Sequence, residues 1–179
     1  MFFGYVLEEF FLVGGKITMF DLFKRKTSEP VLYSPIEGKC IDLTAVPDQV
    51  FAQKIMGDGI AFIPNKNEIY APCDGTISVV ANTKHAIGMV SNDGVEILIH
   101  VGLDTVNFGG EGFEVFVKKD KKVKKGDKLL TFDQEFFEKQ NVNLTTPMII
   151  TNHKNYDLSF EHIDGDVTNS EKVVTYKLK

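Results

Sequence analysis

Hydrophobic and polar positions alternate most cleanly between Gly94 and Val101. Val95, Ile97, Ile99 and Val101 point one way and make a buried row, while Glu96, Leu98 and His100 point the other. The run reads as a strand ending at Gly102, with His100 on its outer face, open to approach and a candidate nucleophile. Upstream, Thr83–Gly94 alternates again and ends in the turn residues Ser91-Asn92-Asp93-Gly94. It carries His85. If the two runs form a hairpin, a loop of Asn92-Asp93, or of Ser91 through Gly94, sets His85 directly opposite His100. An Asp-Gly turn makes the two diagonal neighbours. Direct partners lie about 5 Å apart at Cβ and diagonal ones about 7–8 Å, within imidazole reach in both cases. A loop of odd length puts the two rings on opposite faces.

The rest of the chain is a series of short β-rich runs broken by Gly, Pro, Asn and Asp. Two segments echo each other: Tyr33-Ser-Pro35-Ile-Glu37-Gly38 and Tyr70-Ala-Pro72-Cys-Asp74-Gly75 each lead into a new strand. Gly126-Asp127 and Asp58-Gly59 read as tight turns. Helix is scarce: Asp133 can cap a short helix through Lys139, and Pro47–Lys54 can form a turn or two. These patterns predict an all-β fold, an antiparallel β-sandwich or jelly-roll-like barrel with a few short helical turns. The lysines at 118, 119, 121, 122, 124 and 125 fit a solvated hairpin edge that discourages further strand pairing. His153 and His162 fall in polar turn contexts and read as surface residues.

With 179 residues, 43% hydrophobic and 25% charged, the chain can bury one substantial core. Its net charge of −5 argues against nucleic acid and for a partner with a basic surface. Cys40 and Cys73 lack C-x-x-C spacing, which suits free thiols in a reducing cytoplasm. Residues 1–29 read as an extension and linker, the linker proper at 27–31. The first 18 are apolar but interrupted by Glu8 and Glu9 and lack a basic leader, unlike a signal peptide. Gly14-Gly15-Lys16 suits a purine-rich ribosome-binding sequence before Met19, so Met19 is the expected natural start. Phe20–Lys26 is short, basic and amphipathic, enough for weak membrane-surface contact at most. Residues 30–179 form the expected domain.

From Gly94 to Val106 the chain matches a signature: a glycine, two spacers, three apolar residues, then His-apolar-Gly-apolar-x-Thr-apolar. Val46–Ile60, Ala71–Ile77 and Leu144–Pro147 match as well. The chain resembles a glucose-type IIA component of the bacterial phosphoenolpyruvate-dependent sugar phosphotransferase system. The resemblance runs from about Pro30 to the C-terminus. It implies a cytoplasmic phosphocarrier: His100 takes a phosphoryl group from the carrier HPr and passes it to a cysteine on the IIB domain of a sugar permease. It makes His85 the second active-site histidine, pairs Thr83 with it, and orients His100 through the Gly102 carbonyl. Val50, Phe51, Ile55, Met56, Leu98 and Val106 correspond to an exposed apolar docking patch. Asp48 and Asp104 correspond to rim carboxylates that meet partner arginines. Some relatives also have regulatory targets.

The resemblance requires no cofactor or metal; a zinc ion shared by His85, His100 and a partner's carboxylate is the metal chemistry it allows. Ala81, Gln49 and Gly88 stand where bulkier apolar residues are common near the patch, which bears on the choice of partner. A zinc-dependent hydrolase on a related β-sandwich is the main alternative, although it needs three protein ligands and an open fourth position. A binding module of the biotinyl or lipoyl hairpin kind is the other, and it lacks the lysine expected at a hairpin tip.

Overall fold

The computed structural model describes residues 30–179. The readings of the leader, of Met19 as start and of the basic stretch Phe20–Lys26 lie outside the described residues. The expected linker ends earlier than position 31, because Pro30 already accepts a hydrogen bond from the Tyr176 amide at 2.9 Å and Val31 is in a strand.

Every strand pairing is antiparallel, as the alternating runs and short connections require. A large sheet holds, in spatial order, β13 (Asp166–Val167), β2 (Gly38–Asp42), β3 (Asp58–Pro64), β11 (Thr146–Ile150), β7 (Glu96–His100), β6 (Ala86–Ser91), β5 (Gly75–Val80) and β9 (Lys122–Val123). Two smaller sheets, β1 (Val31–Tyr33) with β14 (Lys172–Leu178) and β12 (Tyr156–Phe160), and β4 (Glu68–Tyr70) with β10 (Lys128–Phe132) and β8 (Phe113–Val115), pack on its inner face. The main core lies between these layers. Val95, Ile97, Ile99 and Val101 are all buried there, as the alternation predicts.

The echoing segments hydrogen-bond each other reciprocally. The Tyr33 amide donates to the Pro72 carbonyl at 2.9 Å, and the Tyr70 amide to the Pro35 carbonyl at 2.8 Å. The glycines that follow are equivalent too. A Cβ on Gly38 would lie 2.2 Å from the Ile63 carbonyl oxygen, and one on Gly75 2.3 Å from that of Val90. Glycine at both sites lets the partner backbone come close.

A second, smaller core covers part of the outer face. Leu43 and Val46 from the turn after β2, Phe51 from α1 (Gln49–Ala52), and Leu103 pack on Ile41, Ala61 and Ile149 of the sheet. Asp48 caps α1, accepting from the amides of Val50 at 2.8 Å and Phe51 at 3.4 Å. Asp133 likewise caps α2 (Gln134–Lys139) through the Phe136 amide at 2.9 Å. The α2 cap is the one the sequence predicts at Asp133, and α1 falls within the turn or two expected over Pro47–Lys54, with Asp48 as a cap that the sequence reading did not name.

One turn reading needs correction. Asp58-Gly59 is inside β3, where a Cβ on Gly59 would lie 2.1 Å from the Met148 carbonyl oxygen, so the glycine marks close strand packing. Gly126-Asp127 is the tight turn between strands that the sequence predicts, and the strands it joins, β9 and β10, lie in different sheets. The exposed lysine run therefore lines the outer edge strand of the large sheet, not a hairpin.

Because Ile99 is fully buried at the centre of this packing, Ile99→Ala is expected to cost about 2–5 kcal/mol of stability. A shift in the urea midpoint at unchanged slope measures it, and a shift worth under about 0.5 kcal/mol would contradict this placement.

Candidate functional site

His100 is the last residue of β7, half-buried on the outer face. The chain then turns at Gly102, whose φ of +73° is left-handed and suits glycine. A side chain there would also collide, its Cβ falling 2.5 Å from Cγ2 of Thr105. The turn is pinned twice. Thr105 Oγ1 donates to the Val101 carbonyl at 2.6 Å, and the Leu103 amide donates to the Asn143 carbonyl at 2.7 Å. The Gly102 carbonyl is thereby held 2.9 Å from Nδ1 of His100. A carbonyl only accepts, so Nδ1 carries the proton and, in the neutral ring, Nε2 keeps its lone pair.

His85 reaches the same place by another route. The observed register pairs Ala86 with His100 and Val90 with Glu96, across a loop of three residues, Asn92–Gly94. Gly94 has φ +95° and its amide donates to Ser91, a type I turn followed by a left-handed residue. Both even-loop registers are therefore wrong, and regular alternation would separate the histidines. Their convergence comes from the β5–β6 loop. Lys84 is left-handed at φ +59°, and His85 lies in the bend just before β6, outside the strand's alternation. The backbone still pairs: Val101 donates to the His85 carbonyl at 2.8 Å. The imidazoles meet edge-on, with centroids 4.7 Å apart at 75°. Thr83 Oγ1 and Nδ1 of His85 are 2.6 Å apart.

Burial first, then the neighbouring His85, pushes the His100 pKa down to about 4, against the smaller opposing pulls of the Gly102 carbonyl and Asp48. Burial also lowers that of His85, opposed by the Thr83 backbone. Both rings are neutral at pH 7. The site is thus two uncharged imidazoles, each engaged through Nδ1, with Nε2 of His100 free to act as a nucleophile.

A model of the family "phosphoenolpyruvate-dependent sugar phosphotransferase system, EIIA 1" matches residues 30–156. The chain belongs to this family. The EIIA domain is 47% identical over 149 residues to the PTS system glucose-specific EIICBA component of Staphylococcus saprophyticus. That match covers 83% of this chain and 22% of the relative, so the chain spans about a fifth of that protein's length. Among solved structures it resembles glucose permease IIA from Mycoplasma capricolum, with 39% identity and a TM-score of 0.75, covering 80% of this chain and 93% of that one. These relatives lend no support to the hydrolase alternative.

In the EIIA domain, Val50, Ile55, Met56 and Val106 are exposed at 42%, 67%, 42% and 48%, apolar side chains open to solvent on the segments that precede β3 and follow β7. Leu98 is half-buried. Phe51, grouped with the exposed patch by resemblance, is only 5% exposed and meets the His100 ring edge-on at 5.1 Å. It packs against the His100 ring. Asp104 is exposed and left-handed at φ +59°. Asp48 is already the α1 cap, so its carboxylate is oriented before any partner arrives. A hollow of about 390 Å³ lies between them, lined in part by Pro47, Leu103, Asn107 and Asn143.

Reading the residues alone did not single out Thr105, Asn143 or the packing role of Phe51. The fixed threonine of the signature was the available signal for the first; the other two are contacts across the fold. Elsewhere, His162 is exposed as expected, but His153 is half-buried with Nδ1 lacking a hydrogen-bond partner. Cys40 and Cys73 are free, and burial raises their pKa values to about 11 and about 12. Among the described residues no group of three or more His, Cys, Asp or Glu is gathered to hold a metal. The Nε2 atoms of His85 and His100 could supply two ligands, and a third would come from another molecule. No helix among the described residues is long and apolar enough to cross a membrane.

Folded His100 takes its proton only near pH 4, against about 6.5 when unfolded. The unfolded chain binds more protons in between, so His100 makes stability fall as pH drops from about 6.5 to about 4. An NMR titration of the imidazole Cε1 proton should give a midpoint near 4, and one near 6.5 would contradict the buried, neutral ring. Gly102→Ala should lose about 1–3 kcal/mol, read by urea unfolding.

Proposed function

We propose that the domain is a phosphocarrier of the cytoplasmic face: His100 accepts a phosphoryl group from phospho-HPr and passes it to a cysteine of a IIB domain. The observation that carries this reading is the Nδ1 contact to the Gly102 carbonyl, with a second imidazole at 4.7 Å. In the first step the Nε2 lone pair attacks phosphorus while the P–N bond to the carrier's histidine breaks. The attacking nitrogen has no proton to lose, so no general base is needed. In the second step a cysteine sulfur of the IIB domain attacks, and the electron pair of the P–N bond returns to Nε2.

Phosphoryl transfer asks mainly for alignment and charge stabilisation. If the Thr83 hydroxyl donates to Nδ1 of His85, then Nε2 of His85 carries a proton and can donate it in a hydrogen bond to the phosphoryl oxygens. Nδ1–H of His100, still bonded to Gly102, spreads the positive charge on the phosphorylated ring. Burial makes that same charge costly, which favours giving the group up. The shallow setting suits a site visited by two proteins in turn, and the apolar rim of Val50, Ile55, Met56 and Val106 keeps water from the phosphoryl group when they dock. Asp48 and Asp104 would meet arginines, each exposed pair contributing about 0–1 kcal/mol and mainly steering. The similarity to a glucose-specific EIICBA component makes a glucose permease the first acceptor to try.

Incubation with phosphoenolpyruvate, enzyme I, HPr and IIB domains tests the reading. Acid-labile phosphate is expected on the wild-type chain and none on His100→Ala; label persisting on that variant would refute the assignment. His85→Gln should accept phosphate and pass it on at least about tenfold more slowly, consistent with a lost transition-state hydrogen bond. Acceptance should vary little between pH 6 and 8, because His100 is already neutral throughout that range.

A further inference from the structure

The densest run of like charge in the chain lies away from the histidines. Seven lysines and two aspartates fall between Lys118 and Lys128, a local charge of +5 in a chain whose net charge is −5. All seven lysines are exposed, whereas Val117 and Val123 are buried and fix the segment to the core. Its backbone is held on either side of β9. The Asp120 amide donates to the Ile77 carbonyl at 2.8 Å, and the Gly126 amide to the Ala71 carbonyl at 2.9 Å. The lysines therefore stand on a fixed frame. Lys128 pairs with Glu68, and Lys125 Nζ lies 3.7 Å over the Tyr33 ring. Lys118, Lys119, Lys121, Lys122 and Lys124 have no ion pair among the described residues. Beside them Phe116 is 42% exposed, and Lys121 Nζ donates to its carbonyl at 3.2 Å.

Guarding the sheet edge accounts for little of this. β9 is two residues long, already too short to recruit another strand, and of the five unpaired lysines only Lys122 is in it. Five like charges held together repel one another, and an anionic surface relieves that repulsion. Three features give the form of the partner. Lysine ammonium groups are point charges without arginine's planar fork, so they suit spread charge better than one shaped anion. They stand on a sheet rim and its turns, whereas a nucleic-acid strand is followed by a groove with successive stacking platforms. Phe116 adds a bare apolar ring beside the ammonium groups, a combination that enters the headgroup layer of a bilayer. We infer that the rim from Lys118 to Lys124, with Phe116, docks on a membrane surface rich in anionic lipid. Each lysine near such a surface strengthens binding by roughly fivefold, so five of them, opposed by Asp120, make a reversible contact. Lys122 lies across Thr76 and Val90 from Glu96. Three strand spacings and four residues thus put it about 20 Å from His100, on a separate surface. The inference does not depend on phosphoryl transfer.

Sedimentation of the full chain with vesicles tests it, comparing phosphatidylcholine alone with phosphatidylcholine mixed with anionic phosphatidylglycerol. Binding is expected only to the anionic vesicles, and it should weaken as salt rises. Combining Lys118→Gln, Lys119→Gln, Lys121→Gln and Lys122→Gln should weaken it at least about tenfold. The same loss of charge at the exposed Lys39, Lys139, Lys154 and Lys177 should change it by less than about twofold. The chain has no tryptophan, so Phe116→Trp provides a single reporter. Its emission should shift to the blue on anionic vesicles and be quenched by brominated lipid. Absence of wild-type binding to anionic vesicles overturns the inference, and equal weakening by the two lysine sets replaces it with an effect of net charge. Full binding by the variant of 118, 119, 121 and 122 moves the contact to another segment such as Phe20–Lys26. An unshifted tryptophan together with tight binding of poly(U) reassigns the rim to nucleic acid. None of these outcomes bears on whether His100 accepts phosphate.

Discussion

The hydrogen bond between Nδ1 of His100 and the Gly102 carbonyl decides what the site can do, because it sets both the tautomer and the aim of the ring. With Nδ1 committed, Nε2 is the atom that faces outward with a lone pair. The bond depends on a turn that tolerates only glycine, through its φ of +73° and the Thr105 methyl lying where a Cβ would go. Thr105 and Asn143 then hold that turn against the end of β7. A site of this kind needs no mobile part. Nε2 of His100 is aimed outward by the folded chain alone.

The two-sided use of the large sheet follows from where the apolar residues fall. Its inner face is closed by the two small sheets, and its outer face is only half covered, by α1, the turn after β2 and Leu103. The histidines lie beside that covering, with Phe51 edge-on against His100. Partial burial is enough to keep both rings uncharged at neutral pH, and partial openness is enough for another protein to reach Nε2. Either extreme would spoil one of those properties: a fully exposed histidine would be partly protonated, and a sealed one could not be reached.

Much of this was legible along the chain. Alternation identified the buried row of β7 and the outward placement of His100, the capping aspartate Asp133 marked α2, and the signature from Gly94 to Val106 pointed to the family. Local rules suffice there, because side-chain period and cap chemistry belong to a few neighbouring residues. They failed where a choice rested on distant backbone. Asp58-Gly59 looks like a turn, yet the glycine serves a close approach of β11. Phe51 carries the hydrophobicity of a docking residue, and only the packing of α1 on the sheet turns it inward.

The histidine pair draws the line most clearly. The sequence by itself determined that two imidazoles border a short hairpin, and that a glycine ends the strand just after one of them. It could not determine that they meet. The three-residue loop gives a register that alternation alone would read as keeping them apart. The left-handed bend at Lys84, closed by pairing of Ala81 with Ala86 and of His85 with Val101, brings the rings together. That outcome belongs to the tertiary structure, because it depends on hydrogen bonds among three strands at once, and no single stretch of chain encodes their balance.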